Sequence, residues 1–295
     1  MAWSVAKPQQ FDRVIEFLRP REHTCVTFVS HLLKGGVPSF PSRFRKRILY
    51  LAAPRSAELG GASGGIAALA LQTTFGLVFP VLDTPAAEHD PQLGDLVHRL
   101  RRGLQLSRTL MGREADVRRV ESALSASPDM RVTYHIMSLT GPPASGGRHP
   151  PQDVTFRRAG PADLSRLLPL QAAYEEEEVI VDGRPVDHRV VYHNMHHALE
   201  HHVTYIAERN GTPVAKASTN AHGLHYEQIG GVYTVTTERN KGIGTELMRY
   251  LIADLRAQGK SSTLFVKKFN AAARAVYERL GFVHKNDFAI SYYYQ

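Results

Sequence analysis

The segment Val232-Tyr233-Thr234-Val235-Thr236-Thr237-Glu238-Arg239-Asn240-Lys241-Gly242-Ile243-Gly244-Thr245 changes character halfway along. Its first half is β-branched and aromatic, with no helix former before Glu238, and predicts a strand. Its second half sets Gly242 and Gly244 one residue apart. Beyond them Ile243, Leu247, Leu251 and Leu255 recur every four residues, with Met248 and Ile252 alongside, which is one face of a helix. A strand that turns through glycines into a helix offers free backbone N–H groups and the positive end of a dipole. Missing side chains at the glycines let phosphates approach, and Arg239 and Lys241 add positive charge. The spacing is neither the dinucleotide fingerprint nor the P-loop. It predicts a pyrophosphate cradle of another kind.

Around this segment the second half reads as alternating strands and helices. Val154–Arg158 is a strand, and Pro161 opens a helix carrying Leu164, Leu167, Leu168 and Leu170. Glu175–Glu178 are four consecutive acids, read either as a solvated helix end or as an acidic wall that attracts a cationic amine. A polar, histidine-rich stretch covers Asp182–His202. Val203–Glu208 and Val214–Ser218 are strands about an Asn210-Gly211 hairpin turn. Tyr226–Thr237 is the long strand that enters the cradle, and Gly259 ends the cradle helix. Thr263–Val266 is the next strand, Asn270–Leu280 a helix stopped by Gly281, and Phe282–Lys285 with Phe288–Tyr294 a final hairpin.

The stretch from Asn270 to Phe282 adds a second pattern, Asn-x-x-Ala-x-x-x-Tyr-x-x-x-Gly-Phe, realised as Asn270, Ala273, Tyr277, Gly281 and Phe282. Together with Arg239-x-x-Gly242-x-Gly244, it resembles the GNAT superfamily of N-acetyltransferases over about the last half of the chain. The resemblance implies an α/β (α+β) fold, a mixed and mostly antiparallel sheet flanked by helices. It implies acetyl-coenzyme A as co-substrate and a primary amine as acceptor. By the same resemblance Asn240, Lys241, Gly242, Ile243, Gly244 and Thr245, with Arg239, hold the pyrophosphate. Val232, Tyr233 and Thr234 present backbone to the pantetheine arm and the acetyl carbonyl, Asn270 touches that arm, and Tyr277 protonates the leaving thiolate. The family's glutamate base is not matched: its first place falls on or beside Gln228, next to Glu227, and its second on Phe265. Glu227 and Glu178 are the candidate bases, and a chain of waters is the alternative. The missing base also keeps open a non-catalytic acyl-coenzyme A sensor or partner-binding protein on this scaffold.

With 295 residues, 43% of them hydrophobic and 22% charged, the chain has the composition of a globular protein of two domains or one large one. Its net charge of +8 is scattered in short groups such as Arg43–Arg47 and Arg99–Arg102. With no aromatic-interleaved basic stripe, a nucleic-acid partner is not expected, whereas a polyanionic coenzyme suits the sign. The one cysteine, Cys25, excludes an intramolecular disulfide and fits a reducing cytoplasm. Residues 1–20 lack the apolar core of a signal peptide. Gly60–Leu82 carries no formal charge, but its glycines, Gln72, Thr73, Thr74 and Pro80 favour two buried strands, Ile66–Leu71 and Phe75–Val81, over a membrane span. His193, His197 and His201 fall on one helical face, with His196 and Glu200 a second such pair. Without His-Glu-x-x-His or a cysteine, no metal is expected.

The run Gly141–Pro151 is too rich in proline and glycine for a helix or a central strand. It predicts a linker over 141–152 between domains 1–140 and 153–295. The first domain reads as helix Phe11–Leu18, a helix or strand at Cys25–Leu33, strand Arg47–Ala53, the two uncharged strands, helix Gln92–Arg102, strand Leu104–Met111, helix Glu114–Leu124 and strand Arg131–Leu139. This order suggests a degenerate internal copy of the second domain. Its phosphate position, placed at Gly112, has one glycine and the acids Glu114 and Asp116, so coenzyme binding there is not expected. Oligomeric state and the identity of the amine stay open.

Overall fold

The computed structural model describes residues 2–34, 37–38, 46–52, 65–83, 91–103, 109–180 and 183–293. The first half runs β1 (Ser4–Val5), α1 (Phe11–Leu18), α2 (Glu22–Ser30), β2 (Leu33–Lys34), β3 (Val37–Pro38), β4 (Lys46–Ala52), β5 (Ile66–Thr73), β6 (Leu77–Leu82), α3 (Pro91–Gly103), β7 (Thr109–Arg113), α4 (Glu114–Leu124) and β8 (Met130–Leu139). The second half runs β9 (Val154–Arg158), α5 (Leu164–Tyr174), α6 (His188–His201), β10 (Thr204–Arg209), β11 (Thr212–His222), β12 (Tyr226–Thr234), α7 (Ile243–Ala257), β13 (Ser261–Lys267), α8 (Ala271–Arg279) and β14 (Val283–Tyr292). The fold is mixed α/β, with a mostly antiparallel sheet flanked by helices. Arg43–Arg45, Ala53, Gly60–Gly64, Leu104–Arg108, Asp182 and Tyr294, which fall in segments named above, lie outside the described residues.

Apart from the short β2–β3 pair of the first half, the two halves share one order of elements. A strand and two helices lead into an antiparallel meander, β4-β5-β6 in the first half and β10-β11-β12 in the second. A helix then crosses over to a parallel partner, β6 to β7 through α3 and β12 to β13 through α7. A last helix and strand follow. This topology moves the first half's phosphate position. The start of α4, beside Gly112, corresponds to the start of α8, not of α7. The cradle counterpart is the β6–α3 connection, of which 84–90 lie outside the described residues.

The chain packs as two compact units. Unit 1 comprises 1–136, 267–269 and 285–295, and unit 2 comprises 137–266 and 270–284. The run 141–152 therefore lies within unit 2. In unit 1 the last strand comes from the far end of the chain, since β14 pairs antiparallel with β7 from Phe288↔Arg113 to Tyr292↔Thr109. β14 is one continuous strand where a hairpin was expected. The turn-forming residue Asp287 is held in place by His135 Nδ1 at 3.0 Å and Lys268 Nζ at 2.7 Å. The ambiguous segment after Glu22 is helical as far as Ser30, and β12 stops at Thr234, giving way to a short 3-10 turn over Thr236–Glu238. The uncharged segment forms β5 and β6, an antiparallel pair. No helix among the described residues is long and apolar enough to cross a membrane.

Each unit has its own core. Trp3, Leu49, Ala70, Leu96, Val117 and Ala289 are buried together in unit 1. In unit 2 the helix face read from the sequence, Ile243, Leu247, Leu251 and Leu255, packs with Ala215, Ile229, Leu264 and Leu280. Deleting a side chain such as Leu251 would cost about 2–5 kcal/mol. An ion cluster pins the edge of unit 2. Arg157 reaches Asp163 at 2.6 Å and Glu208 at 2.7 Å, and Arg166 adds Glu208 at 2.6 Å.

The Arg157 hydrogen bonds hold the Asp163 carboxyl down at about 2. A depressed carboxyl stabilises the fold above its unfolded value, near 4, and that contribution disappears as pH falls towards the folded value. Urea unfolding between pH 5 and 2 should show wild-type stability falling more steeply than that of Asp163→Asn. At pH 7 the variant should be weaker by about 2 kcal/mol; parallel pH curves would contradict this account.

Candidate active site

β12 keeps one neighbour and loses the other. Its antiparallel register with β11 runs to Ala215↔Thr234, but its parallel register with β13 runs only from Tyr226↔Ser261 to Ile229↔Leu264. Beyond Ile229 the two parallel strands part. Val232, Tyr233 and Thr234 therefore line a cavity of about 570 Å³ instead of a β-ladder. The register with β11 also slips between Lys216 and Ser218, so that Gly231 and Val232 together face Ala217. Gly231 supplies the left-handed conformation this bulge uses, with φ +62°.

The cradle closes one end of the cavity. Asn240 and Gly242 both have positive φ, +61° and +82°, and Gly242 is the N-cap of α7. No side chain caps this helix, so the N–H groups of its first turn have no side-chain acceptor. Gly242, Ile243, Gly244 and Thr245 face the cavity, as do Arg239 and Asn240. The basic residues are already engaged. Arg239 Nε donates to Thr234 O at 2.9 Å, and its Nη2 donates to Glu177 at 2.6 Å, an ion pair that raises its pKa. Lys241 pairs with Glu238 at 3.3 Å. The run before β9 also touches the cradle. Arg148 donates to Asn240 O, and a Cβ on Gly242 would collide with the Arg148 carbonyl.

The acidic run is neither fully solvated nor helical in the ordinary way. Glu175–Val179 form a π turn continuing α5, closed by Ile180 N–H donating to Glu175 O at 2.8 Å. The wider turn buries Glu175, which accepts from Gln171 at 2.7 Å and Asn194 at 3.0 Å. It sends Glu177 to Arg239 and Glu178 to Asn270, whose Nδ2 donates to the Glu178 carboxylate at 2.9 Å. Asn270 also caps α8 by accepting from Ala273 N–H at 3.0 Å. Two turns on, Tyr277 faces the same cavity. Burial is the main cause that pushes its phenol pKa well up, with Tyr174 and Glu178 adding to it. It stays protonated and able to donate.

The structure thus brings Glu178, Asn270, Tyr277, the Val232–Thr234 backbone and the cradle together. Lys241 and Glu227 are not among the residues lining the cavity. The buried Glu227 carboxylate hydrogen-bonds His222 Nδ1 at 2.6 Å, raising the pKa of that imidazole, and lies 3.9 Å from Lys260. Gln228 donates to Asn220 at 2.9 Å. The helix face His193, His197, His201 forms as a ladder of rings on α6, with centroids 6.5 and 4.6 Å apart. Sequence reasoning gave no individual role to Arg148 or Glu177. The proline-rich setting of Arg148 reads as linker, and Glu177 sits inside an undifferentiated acidic run.

Residues 168–282 match the family model of the acetyltransferase (GNAT) family. No curated protein matches the chain. Among solved structures, a Drosophila protein is similar over 98% of both chains, at 12% identity and a TM-score of 0.63. A GNAT-family acetyltransferase from Colwellia psychrerythraea aligns over 99% of both chains, at 10% identity and a TM-score of 0.54. A GCN5-related N-acetyltransferase from Kribbella flavida covers 90% of this chain and 95% of its own, at 15% identity and a TM-score of 0.54. At these identities the likeness is one of fold.

The two cradle glycines should respond differently to alanine. Gly242→Ala forces a side chain into a left-handed backbone and against a carbonyl, and should lower the unfolding free energy by at least about 1–2 kcal/mol. Gly244→Ala meets only the Thr234 hydroxyl, at 3.2 Å, and should change stability by less than about 1 kcal/mol. Urea denaturation of both variants checks the contrast.

Proposed function

We propose, on the match of residues 168–282 to the acetyltransferase (GNAT) family model, that this chain transfers the acetyl group of acetyl-coenzyme A to a primary amine by direct attack. The observation that carries the reading is the parting of β12 from β13 beside an uncapped, glycine-led helix. One groove offers strand backbone to an extended arm, and its end offers helix N–H groups to a pyrophosphate. In this reading Asn240 to Thr245 hold the pyrophosphate by backbone, and Arg239 shapes the loop through Thr234 O. The pantetheine arm runs along Val232–Thr234, beside Asn270, and the Val232 N–H polarises the acetyl carbonyl.

Glu178 is the base of this proposal, because it lines the cavity and Glu227 does not. The neutral amine attacks the carbonyl carbon as Glu178 takes its proton, directly or through one water. The C–S bond breaks, the sulfur leaves with the electron pair, and Tyr277 supplies its proton. The products are an N-acetyl amide and free coenzyme thiol. Alignment of the two reactants supplies much of the rate, and Glu177 and Glu178 draw a cationic acceptor to the mouth.

Acetyl-coenzyme A at a hundred times its dissociation constant should stabilise the wild type by about 2.7 kcal/mol in thermal unfolding. Gly244→Glu, still folded, should show no shift. Glu178→Gln should bind the coenzyme normally but release thiol about a hundred- to ten-thousandfold more slowly with an amine acceptor. Glu227→Gln should retain wild-type turnover. Coenzyme binding without turnover on any amine would replace the enzyme reading with an acyl-coenzyme A sensor. No thermal shift at millimolar ligand would end both.

A further inference from the structure

Lys216 is a buried cation that the reaction as written does not use. It sits in β11 between Ala215 and Ala217 with 1% exposure. Its ammonium donates to Gly231 O at 2.9 Å and stands 4.5 Å from the centroid of the Tyr174 ring. The buried carboxylate of Glu175, on the π turn, is the charge that acts on it. Tyr174 faces it from α5, and Tyr233 is its register partner on β12. Burying an ammonium is costly, and a methionine would fill this position without that cost. Burial draws the lysine pKa down to about 7, against the opposing pull of Glu175.

The carbonyl that Lys216 grips belongs to the bulge. Gly231 O and the Val232 N–H are the two ends of one peptide group. A cation bonded to the oxygen draws electron density towards it and leaves the N–H a stronger donor. The Gly231 N–H in turn donates to the Tyr174 hydroxyl. A Cβ on Gly231 would lie 3.2 Å from Lys216 Nζ, so the glycine also makes room for the ammonium. Val232 itself lines the cavity.

We propose that Lys216 is a positioning residue for acyl transfer: by donating to Gly231 O it fixes the bulged Gly231–Val232 peptide and strengthens the Val232 N–H as donor to the acyl carbonyl. The proposal rests on the role given to Val232 above, while the Lys216–Gly231 bond stands without it. A neutral lysine amine pulls less on the carbonyl, so the polarisation weakens as pH rises through the lysine pKa. Glu175, which favours the charged form, extends it upward.

Two measurements separate this from simple packing. Without ligand, the Val232 amide signal in nuclear magnetic resonance should titrate with the lysine near pH 7, moving towards a weaker donor as pH rises. In Lys216→Met it should be displaced and flat. With ligand, isotope-edited infrared spectroscopy of bound carbonyl-labelled acetyl-coenzyme A should show a stretch lowered from its free value. In Lys216→Met the stretch should return towards that value, with kcat down about tenfold or more and the coenzyme dissociation constant nearly unchanged. If Lys216→Met does not fold, the same two signals in the wild type between pH 6 and 8.5 decide the matter. An amide that ignores lysine ionisation, or a variant with unaltered stretch and kcat, overturns the proposal. Failure of the wild type to bind acetyl-coenzyme A would instead overturn the enzyme reading, and the amide titration would still report whether Lys216 governs that peptide.

Discussion

Strand β12 bonds to β11 along most of its length and to β13 only as far as Ile229. A strand inside a sheet normally has both edges satisfied, and leaving one unpaired exposes backbone donors and acceptors that need partners. The fold tolerates the gap because α7 and α8 wall it and the cores beneath remain closed. Leu264 and Val266 of β13 and Leu247 and Leu251 of α7 are buried on the same side, so the strands separate without opening the interior. What is left is a slot with backbone on one face and helix starts at its ends. Everything placed in the site follows from that slot: the bulge at Gly231 aims the strand, and the cap of α8 brings Asn270 to its rim.

The electrostatics of the slot run against a simple picture of basic residues waiting for phosphate. Arg239 is tied to Thr234 O and Glu177, and Lys241 to Glu238. Attraction of a polyanion therefore falls to the uncapped N–H groups of α7, where the dipole adds to hydrogen bonding. Arg239 does structural work instead, locking the strand end to the acidic turn. The same ion pair holds Glu177 at the rim and leaves Glu178 bonded to Asn270. One π turn thus couples the two sequence motifs, which also share the core that holds Ile243 and Tyr277.

The sequence made the cradle and the asparagine-tyrosine helix legible because both depend on local rules: glycine at positive φ, a capping side chain, and apolar residues at helical spacing. The parts that were not legible depend on tertiary partners. Four glutamates in a row look solvated until Asn194 and the buried Gln171 are seen to hold the first of them. Asn286-Asp287 reads as a turn until His135 and Lys268 anchor Asp287 in a strand. Lys216 reads as a solvent-facing position of an alternating strand, but β11 is covered on both faces through most of its length. The origin of the last strand of unit 1 was hidden for a different reason. Strands β8 and β14 carry similar patterns of apolar and polar residues, so periodicity does not say which half each completes.

The repeated order of elements makes the first half an internal comparison for the second. β6 also pairs with its parallel partner only at its start, through Leu77↔Thr109 and Val78↔Leu110, before running on to Leu82. Here the ladder is interrupted by Pro80, which has no N–H to donate, while the strands stay close: a Cβ on Gly112 would lie 3.1 Å from Pro80 O. The strand end is already satisfied by side chains. Arg113 donates to Leu82 O at 2.6 Å, and the Leu82 N–H donates to Asp116 at 3.3 Å, while Arg113 and Asp116 pair at 2.8 Å. One arginine-aspartate pair takes both polar groups of this strand terminus. A ligand would have to displace a hydrogen-bonded pair whose carboxylate is almost wholly buried, leaving that charge without its partner. The two units thus share an order of elements, and they differ in whether the chain's own side chains have taken the polar groups at the strand end.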